Sequence, residues 1–322
     1  MMVYLIVFAL LFILEIFYFK VADRFNIIDK PNERSSHNTI TLRGGGIIFY
    51  FAALFYFIWS GFNYPWFFLG LTLMTIVSFL DDIFTLSNRI RLLIHFTSVL
   101  LMAYELNVFS LPWYNLVLTF IVIVGIINAY NFMDGINGIT ASNSLAVGSL
   151  LLIANQQIHF IDPEFLIFTI LGVLVFAFFN FRNKAKTFAG DVGSVSIAFI
   201  LIFALGLLII KTGNIIYLLF LLVYGLDSVW TIIRRLISRE NIFQAHRSHL
   251  YQFLANEGKI NRLLISTIYG LLQFIIGLLI IYISKYTYGV QILFSLGLIV
   301  FLSIIYLLLK NTFITRINNL KN

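Results

Sequence analysis

The stretch F-F-L-G-L-T-L-M-T-I-V-S-F-L-D-D, residues 67–82, sets an uncharged run from Phe67 to Leu80 directly against two adjacent carboxylates, Asp81 and Asp82. If the run is a helix, both acids sit at its carbonyl end. The macrodipole is negative there and disfavours a carboxylate by roughly 0.3 to 1 kcal/mol. A positive partner is therefore expected nearby. Taken alone, the pair reads equally well as two solvated acids closing a helix.

The rest of the chain has the same character as this run. Of 322 residues, 61% are hydrophobic, 17% aromatic and 11% charged, whereas soluble domains average about 25% charged. This composition excludes a soluble globular domain and predicts an all-α polytopic integral membrane protein. With no cysteine, disulfides and thiolate metal sites are excluded as well. Apolar stretches near the roughly 17–25 residues that cross a bilayer fall at 2–19, 45–60, 65–80, 90–106, 111–129, 140–156, 164–181, 193–210, 214–232, 261–284 and 288–309, so about 11 transmembrane helices are expected. The first lacks a basic n-region and is followed by Lys20, so it reads as a retained span rather than an ordinary cleaved signal peptide.

The basic residues orient these spans. Under strict alternation, all 21 Lys and Arg except Lys211 and Lys285 fall on one side, which the positive-inside rule makes cytoplasmic. The N-terminus is then outside and the C-terminus inside. Trp59, Trp66 and Trp113 lie near the expected outer interface, as an aromatic belt would. A net charge of +7 does not point to nucleic acid, because the basic residues flank apolar runs instead of forming a patch. One domain, 1–322, is expected, with its site built from the inner loops 20–44, 81–89, 130–139, 182–192 and 233–260.

Those loops hold the chemistry. N-A-Y-N-F-M-D-G-I-N-G, residues 128–138, sets Asn128 and Asn131 on one helix face, then Asp134 and Asn137 among glycines. Gly135 and Gly138 permit positive φ and close backbone approach to a ligand, although an ordinary Asx and glycine turn would look the same. K-T-F-A-G-D-V-G-S, residues 186–194, carries Lys186 and puts Asp191 at a helix start, where Asp is also a preferred N-cap. Grouped with Asp81 and Asp82, Asp191 reads as a hard oxygen ligand suited to magnesium rather than zinc. In A-H-R-S-H-L-Y-Q, His246, Arg247 and His249 make a weak metal case but good cationic donors to phosphate. His95 and His159 fall outside these clusters. Carboxylates for a metal, an amide and acid pocket, and a basic clamp beside a bilayer are the parts that phosphoryl transfer requires.

Five ordered matches then carry a family resemblance across nearly the whole chain: D-K-P-N-E-R-S-S-H (29–37) with R-G-G-G (43–46), F-L-D-D (79–82), 128–138, F-A-G-D-V-G-S (188–194), and Arg234-Arg235 with A-H-R-S-H-L-Y-Q (245–252). The sequence resembles the polyprenyl-phosphate N-acetylhexosamine-1-phosphate transferases, the group that includes phospho-N-acetylmuramoyl-pentapeptide transferase. The resemblance implies transfer of an amino-sugar-1-phosphate, GlcNAc-1-phosphate or a deoxy relative, from the UDP-sugar to undecaprenyl phosphate. UMP is released, Mg2+ or Mn2+ is needed, and the step opens cell-surface polysaccharide synthesis at the bacterial inner membrane. It implies Asp191 and Asp81 as metal ligands, with Asp81, Asp82 and Asp191 catalytic. Asn131, Asp134, Asn137, Lys186, His246, Arg247 and His249 are implied to bind the nucleotide sugar, and relatives suggest a homodimer.

Some positions depart from the family. Asn137 stands where many members have a second Asp, and no lysine follows soon after the acid pair, which points away from peptidoglycan precursors and toward O-antigen or similar polymers. The alternative class is a transporter of lipid-linked sugars. It should place ionisable groups near the bilayer midplane, yet the inner loops hold most of them here.

Overall fold

The computed structural model describes residues 1–29, 40–84, 86–241 and 247–321. Twelve α-helices make up nearly all of it: α1 (Met2–Arg24), α2 (Ile48–Trp59), α3 (Pro65–Phe84), α4 (Asn88–Glu105), α5 (Trp113–Met133), α6 (Ile139–Ile158), α7 (Pro163–Asn180), α8 (Gly190–Thr212), α9 (Leu222–Ile237), α10 (Leu250–Asn256), α11 (Arg262–Ile283) and α12 (Tyr288–Lys321). Eight helical segments are long and apolar enough to cross a membrane: α1, α3, α5, α7, α8, α11, α12 and the segment Ile215–Ile237. The protein is thus a multi-pass, all-helical membrane protein. Its only ladder among the described residues is a short hairpin, β1 (Ile28–Asp29) against β2 (Thr41–Leu42), pairing Ile28 with Leu42.

Helix α8 is the axis of the bundle. Its apolar window is 78% buried, against 11% for α12, and it packs on α2, α3, α5 and α6. A helix apolar all round belongs in such a position. Small residues let its neighbours come close, and the Thr75 and Ser196 hydroxyls meet at 2.9 Å between α3 and α8. At the far end Phe67 stacks on Phe203 with centroids 4.1 Å apart.

Backbone groups freed by irregularities find partners from neighbouring helices, as a low-dielectric setting demands. The segment expected at 214–232 begins as a 3-10 turn, Ile215–Leu221, before α9. Gln273 of α11 spans that change of pitch: its Oε1 accepts from Val223 N–H at 2.9 Å and its Nε2 donates to Leu219 O at 3.1 Å. Helix α3 runs past the expected end at 80, so both acids lie in its last turn. Its first turn is capped from outside, because Glu105 of α4 accepts from the N–H groups of Trp66 (2.7 Å) and Phe67 (3.1 Å).

R-G-G-G (43–46) and F-A-G-D-V-G-S (188–194), far apart in sequence, lie side by side. Phe188 N–H donates to Leu42 O, Gly45 N–H to Phe188 O and Gly46 N–H to Ala189 O. A Cβ on Gly46 would sit 2.3 Å from the Gly193 Cα, so the contact is backbone against backbone. Overpacking commonly costs about 1–3 kcal/mol. Gly46→Val is expected to lower the thermal midpoint in detergent by several degrees, whereas Gly225→Ala, whose new Cβ meets nothing within 4 Å, should leave it unchanged or slightly raised.

Candidate active site

The two adjacent acids point to different tasks. The Asp82 side chain is fully buried and its Oδ1 lies 2.8 Å from the Arg43 guanidinium. Its carboxylate also accepts from the N–H groups of Asp191 (3.2 Å) and Val192 (3.1 Å), the first turn of α8. Those N–H groups carry the positive end of the macrodipole. Gly190, at φ +71°, keeps this approach open, since a Cβ there would lie 2.6 Å from Asp82 Oδ2. Asp82 therefore docks α3 onto α8. Asp191 occupies the first turn without capping it; the cap comes from Asp82.

Asp81 faces elsewhere. Its Oδ1 accepts from Leu86 N–H at 2.7 Å, closing the end of α3, and its Oδ2 pairs with Arg91 of α4 at 2.9 Å. The positive partners that the acid pair called for are thus Arg43, Arg91 and the start of α8. Asp81 lines a narrow cleft between α3, α4, α5 and α8 together with Asp191, Asn128, Asn131, Arg91 and His95. Asp191 is partly exposed there and lies 3.4 Å from Arg43, which it shares with Asp82. Neither Arg91 nor His95 lies in one of the sequence motifs. Their spacing of four, which puts both on one face of α4, was the available signal.

The D-G-I-N-G turn is held by the protein itself. Asn131 Nδ2 donates to Ser194 Oγ at 3.2 Å. Asp134 accepts from the Thr140 hydroxyl at 2.5 Å. Burial pushes the Asp134 carboxyl up to about 7; Thr140 works against the rise, while the charges of Asp191 and Asp82 add to it. Asn137 is buried, and its Nδ2 donates to Arg182 O (2.7 Å) and Asn183 O (3.3 Å), while Ser266 of α11 donates to its carbonyl. The space at the two glycines is taken by side chains of this chain: a Cβ on Gly135 would meet the Tyr251 hydroxyl, and one on Gly138, at φ +84°, the Phe181 ring. The glycines thus admit these two rings, not a ligand.

The last loop is anchored by Asp227 of α9. This buried carboxylate accepts from Leu250 N–H (2.9 Å) and the Tyr269 hydroxyl (2.9 Å). His249 Nδ1 lies 3.4 Å from it. His249 is buried at the start of α10, in a reciprocal cap with Gln252. Tyr251 reaches back to donate to Phe132 O at 2.9 Å, tying this loop to the end of α5. Lys310 of α12 donates to Ser248 O and fixes the loop from the other side. Arg247 pairs with Glu257 at 3.1 Å, and Lys186 is exposed. His246, together with the 30–37 part of the first motif, lies outside the described residues.

Among the described residues no three or more His, Asp or Glu side chains cluster tightly enough to hold a metal by themselves. Magnesium asks for less, usually one or two carboxylates plus waters and substrate phosphates. Asp81 and Asp191 on one cleft are an oxygen donor set of that kind.

Fold and site define a multi-pass membrane protein with a carboxylate-lined cleft at the basic end of its bundle. The sequence model of a family described as glycosyl transferase family 4 matches residues 64–212. The chain is 26% identical over 309 residues to the probable undecaprenyl-phosphate N-acetylglucosaminyl 1-phosphate transferase of Bacillus subtilis, covering 89% of this chain and 85% of that protein. It is 28% identical over 269 residues to the undecaprenyl-phosphate alpha-N-acetylglucosaminyl 1-phosphate transferase of Yersinia pestis, covering 76% and 73%. For the Thermotoga maritima protein of the same name the identity is 28% over 271 residues, covering 80% and 83%. The chain is thus similar to glycosyl transferase family 4 over residues 64–212 and to these named transferases over most of its length.

The two acids should separate experimentally. Asp82→Asn removes charge-assisted bonds, each worth about 1.5–3 kcal/mol, and is expected to lower the thermal midpoint markedly, whereas Asp81→Asn should shift it little. For Asp134, the folded carboxyl keeps its proton to higher pH than the unfolded one. Its contribution to stability is therefore unfavourable and grows as pH rises from about 4 to about 7. The gap in melting temperature between Asp134→Asn and wild type should widen in favour of the variant across that window; a gap independent of pH would contradict the assignment.

Proposed function

We propose that the protein transfers GlcNAc-1-phosphate from its UDP-linked donor to undecaprenyl phosphate and releases UMP, in line with the names of its relatives. A deoxy relative of that sugar is the neighbouring choice, and residues 233–260 would select between them. The observation that carries the reading is the cleft itself. It places Asp81 and Asp191 opposite Arg91, His95 and two asparagine amides, oxygen ligands and cationic donors of the kinds a phosphoryl transfer needs.

In this reading an oxygen of the acceptor phosphate attacks the β-phosphorus of the UDP-sugar. The bond from that phosphorus to the α,β-bridging oxygen breaks, and its electron pair leaves with UMP. Asp81 takes the proton of an acceptor phosphate that arrives as the monoanion. Arg91 and His95 hold the phosphate oxygens, and binding draws Arg91 away from Asp81. The cleft has about 20 Å³ of free room, roughly that of one water, so this pair must part for a phosphate to enter. Asp191 and Asp81 would hold magnesium, which when bound neutralises phosphate charge. Asn131 and Asp134 orient the nucleotide side, while Asn137, His249 and Asp227 act as positioning residues.

The cleft lies at the basic end of the bundle, which by the positive-inside rule is the cytoplasmic face of a bacterial inner membrane. With α2, α4 and α6 crossing alongside the eight longer segments, the N-terminus would be outside and the C-terminus inside. A carrier of lipid-linked sugars is less well supported, because the polar groups gather at one end of the helices and not at mid-depth.

In bilayer nanodiscs with Mg2+, UDP-GlcNAc should yield UMP only when undecaprenyl phosphate is present. Asp81→Asn should lower kcat by about 10²- to 10⁴-fold, and Arg91→Gln should raise KM for undecaprenyl phosphate while sparing that for UDP-GlcNAc. UMP release without the lipid acceptor, or full activity in Asp191→Asn, would overturn the reading.

A further inference from the structure

On a different side of the bundle from the cleft, α6, α7 and α11 enclose an apolar groove of about 780 Å³. Its floor is made of small residues, Ala141, Ser142, Ala146 and Ser149 of α6 with Gly270 of α11. Gly270 and Ser142 are in such close contact that a Cβ on the glycine would lie 2.9 Å from the Ser142 side chain. From Ala141 to Ser149 the groove follows α6 for about 12 Å at 1.5 Å per residue, close to half of a hydrocarbon core about 30 Å thick. It occupies the halves of these helices nearest the basic end, where α7 finishes and α6 and α11 begin. It is therefore one leaflet deep.

The mouth of the groove is charged. Arg182 lines both the groove and a smaller pocket of about 210 Å³, which also holds Arg262, Asn183 and Asn261. The Arg182 guanidinium lies over the Phe178 ring, 4.6 Å from its centroid, and its Nε donates to Phe178 O at 2.6 Å, which leaves the outer nitrogens free to turn toward the pocket. Neither arginine has a carboxylate within ion-pair distance among the described residues. The two arginines beside the cleft, by contrast, each have one: Arg43 pairs with Asp82 and Arg91 with Asp81.

An apolar slot one leaflet deep, ending in two guanidinium groups without acidic partners at headgroup level, has the chemistry of a diacyl lipid with an anionic headgroup. We propose that this groove binds an anionic phospholipid, acyl chain against α6 and α11 and phosphate between Arg182 and Arg262. The site shares no lining residue with the catalytic cleft. It meets the D-G-I-N-G turn through Asn137, whose amide holds the Arg182 and Asn183 carbonyls, and through Phe181, whose ring fills the space at Gly138. A lipid bound there braces the turn that carries Asp134 and does not supply the acceptor.

The test is lipid retention by the full chain, read by native mass spectrometry after exchange into equimolar phosphatidylglycerol and phosphatidylcholine. The wild type should keep phosphatidylglycerol with a roughly thirtyfold preference, given about 1 kcal/mol for each of the two basic residues at a charged surface. Arg182→Gln combined with Arg262→Gln should abolish the preference, and Ala146→Phe should abolish retention by filling the groove with both arginines intact. The thermal midpoint of wild type should be higher in phosphatidylglycerol than in phosphatidylcholine, and that of the double variant equal in both. Equal retention of the two lipids by the wild type, or undiminished retention in both variants, would overturn the proposal. So would a copy-to-copy cross-link through Ser149→Cys in membranes, which would give the groove to a second chain. A rise in KM for undecaprenyl phosphate that parallels the loss of retention would give it to the acceptor, and equally sink the phospholipid.

Discussion

A buried carboxylate needs compensation for lost water, and Asp82 receives it from a guanidinium and the first N–H groups of α8. That compensation fixes three pieces of chain at one point. Helix α3 delivers the acid, α8 delivers its positive end, and the loop before α2 delivers Arg43. The loop is held in turn by glycines that allow R-G-G-G to lie directly on F-A-G-D-V-G-S. Because α8 is also the most buried of the eight long apolar segments, the same contact fixes the start of the bundle's central helix beside the ends of its neighbours. The cleft is what remains between those ends.

Neighbouring residues on a helix point about 100° apart, and this simple geometry separates the roles of Asp81 and Asp82. One looks into the seam with α8 and has no exposed surface; the other looks toward α4 and the cleft. Asp191 sits where the two arrangements meet. Its backbone N–H serves the seam through Asp82, and its carboxylate serves the cleft. A second hub, Asp227, does for the last loop what Asp82 does for α8, capping α10 and pairing with His249. Through Tyr251 that loop is tied to the end of α5 and the D-G-I-N-G turn.

Much of this was legible in the sequence, for physical reasons. Long uncharged runs can only be helices in a bilayer, so the positions of the helical segments follow from hydropathy. The electrostatically awkward acid pair announced cations nearby, and Arg43 and Arg91 fill that place. What hydropathy does not carry is rotation about a helix axis. It could not say which of two adjacent acids faces a cleft, nor that His95, passed over in an apolar-looking stretch, turns toward it. Motif glycines were similarly opaque: at Gly135 and Gly138 the missing Cβ admits Tyr251 and Phe181, and a sequence shows only that something comes close. The histidine of the last motif looks like a free donor on paper, while burial beside Asp227 makes His249 part of the framework. The short hairpin at Leu42 went unseen because two-residue strands leave no periodic trace.

Arg43 stands between two acids, 2.8 Å from Asp82 and 3.4 Å from Asp191. Any divalent cation that settles on Asp191 therefore arrives where a monovalent one already resides. Its apparent affinity is an exchange constant, set by how easily the guanidinium falls back onto Asp82 alone, and not by the bare attraction of a carboxylate. In the proposed reading such a seat would hold its ion loosely until a phosphate brought further negative charge. In that reading the incumbent arginine would make metal and substrate depend on one another.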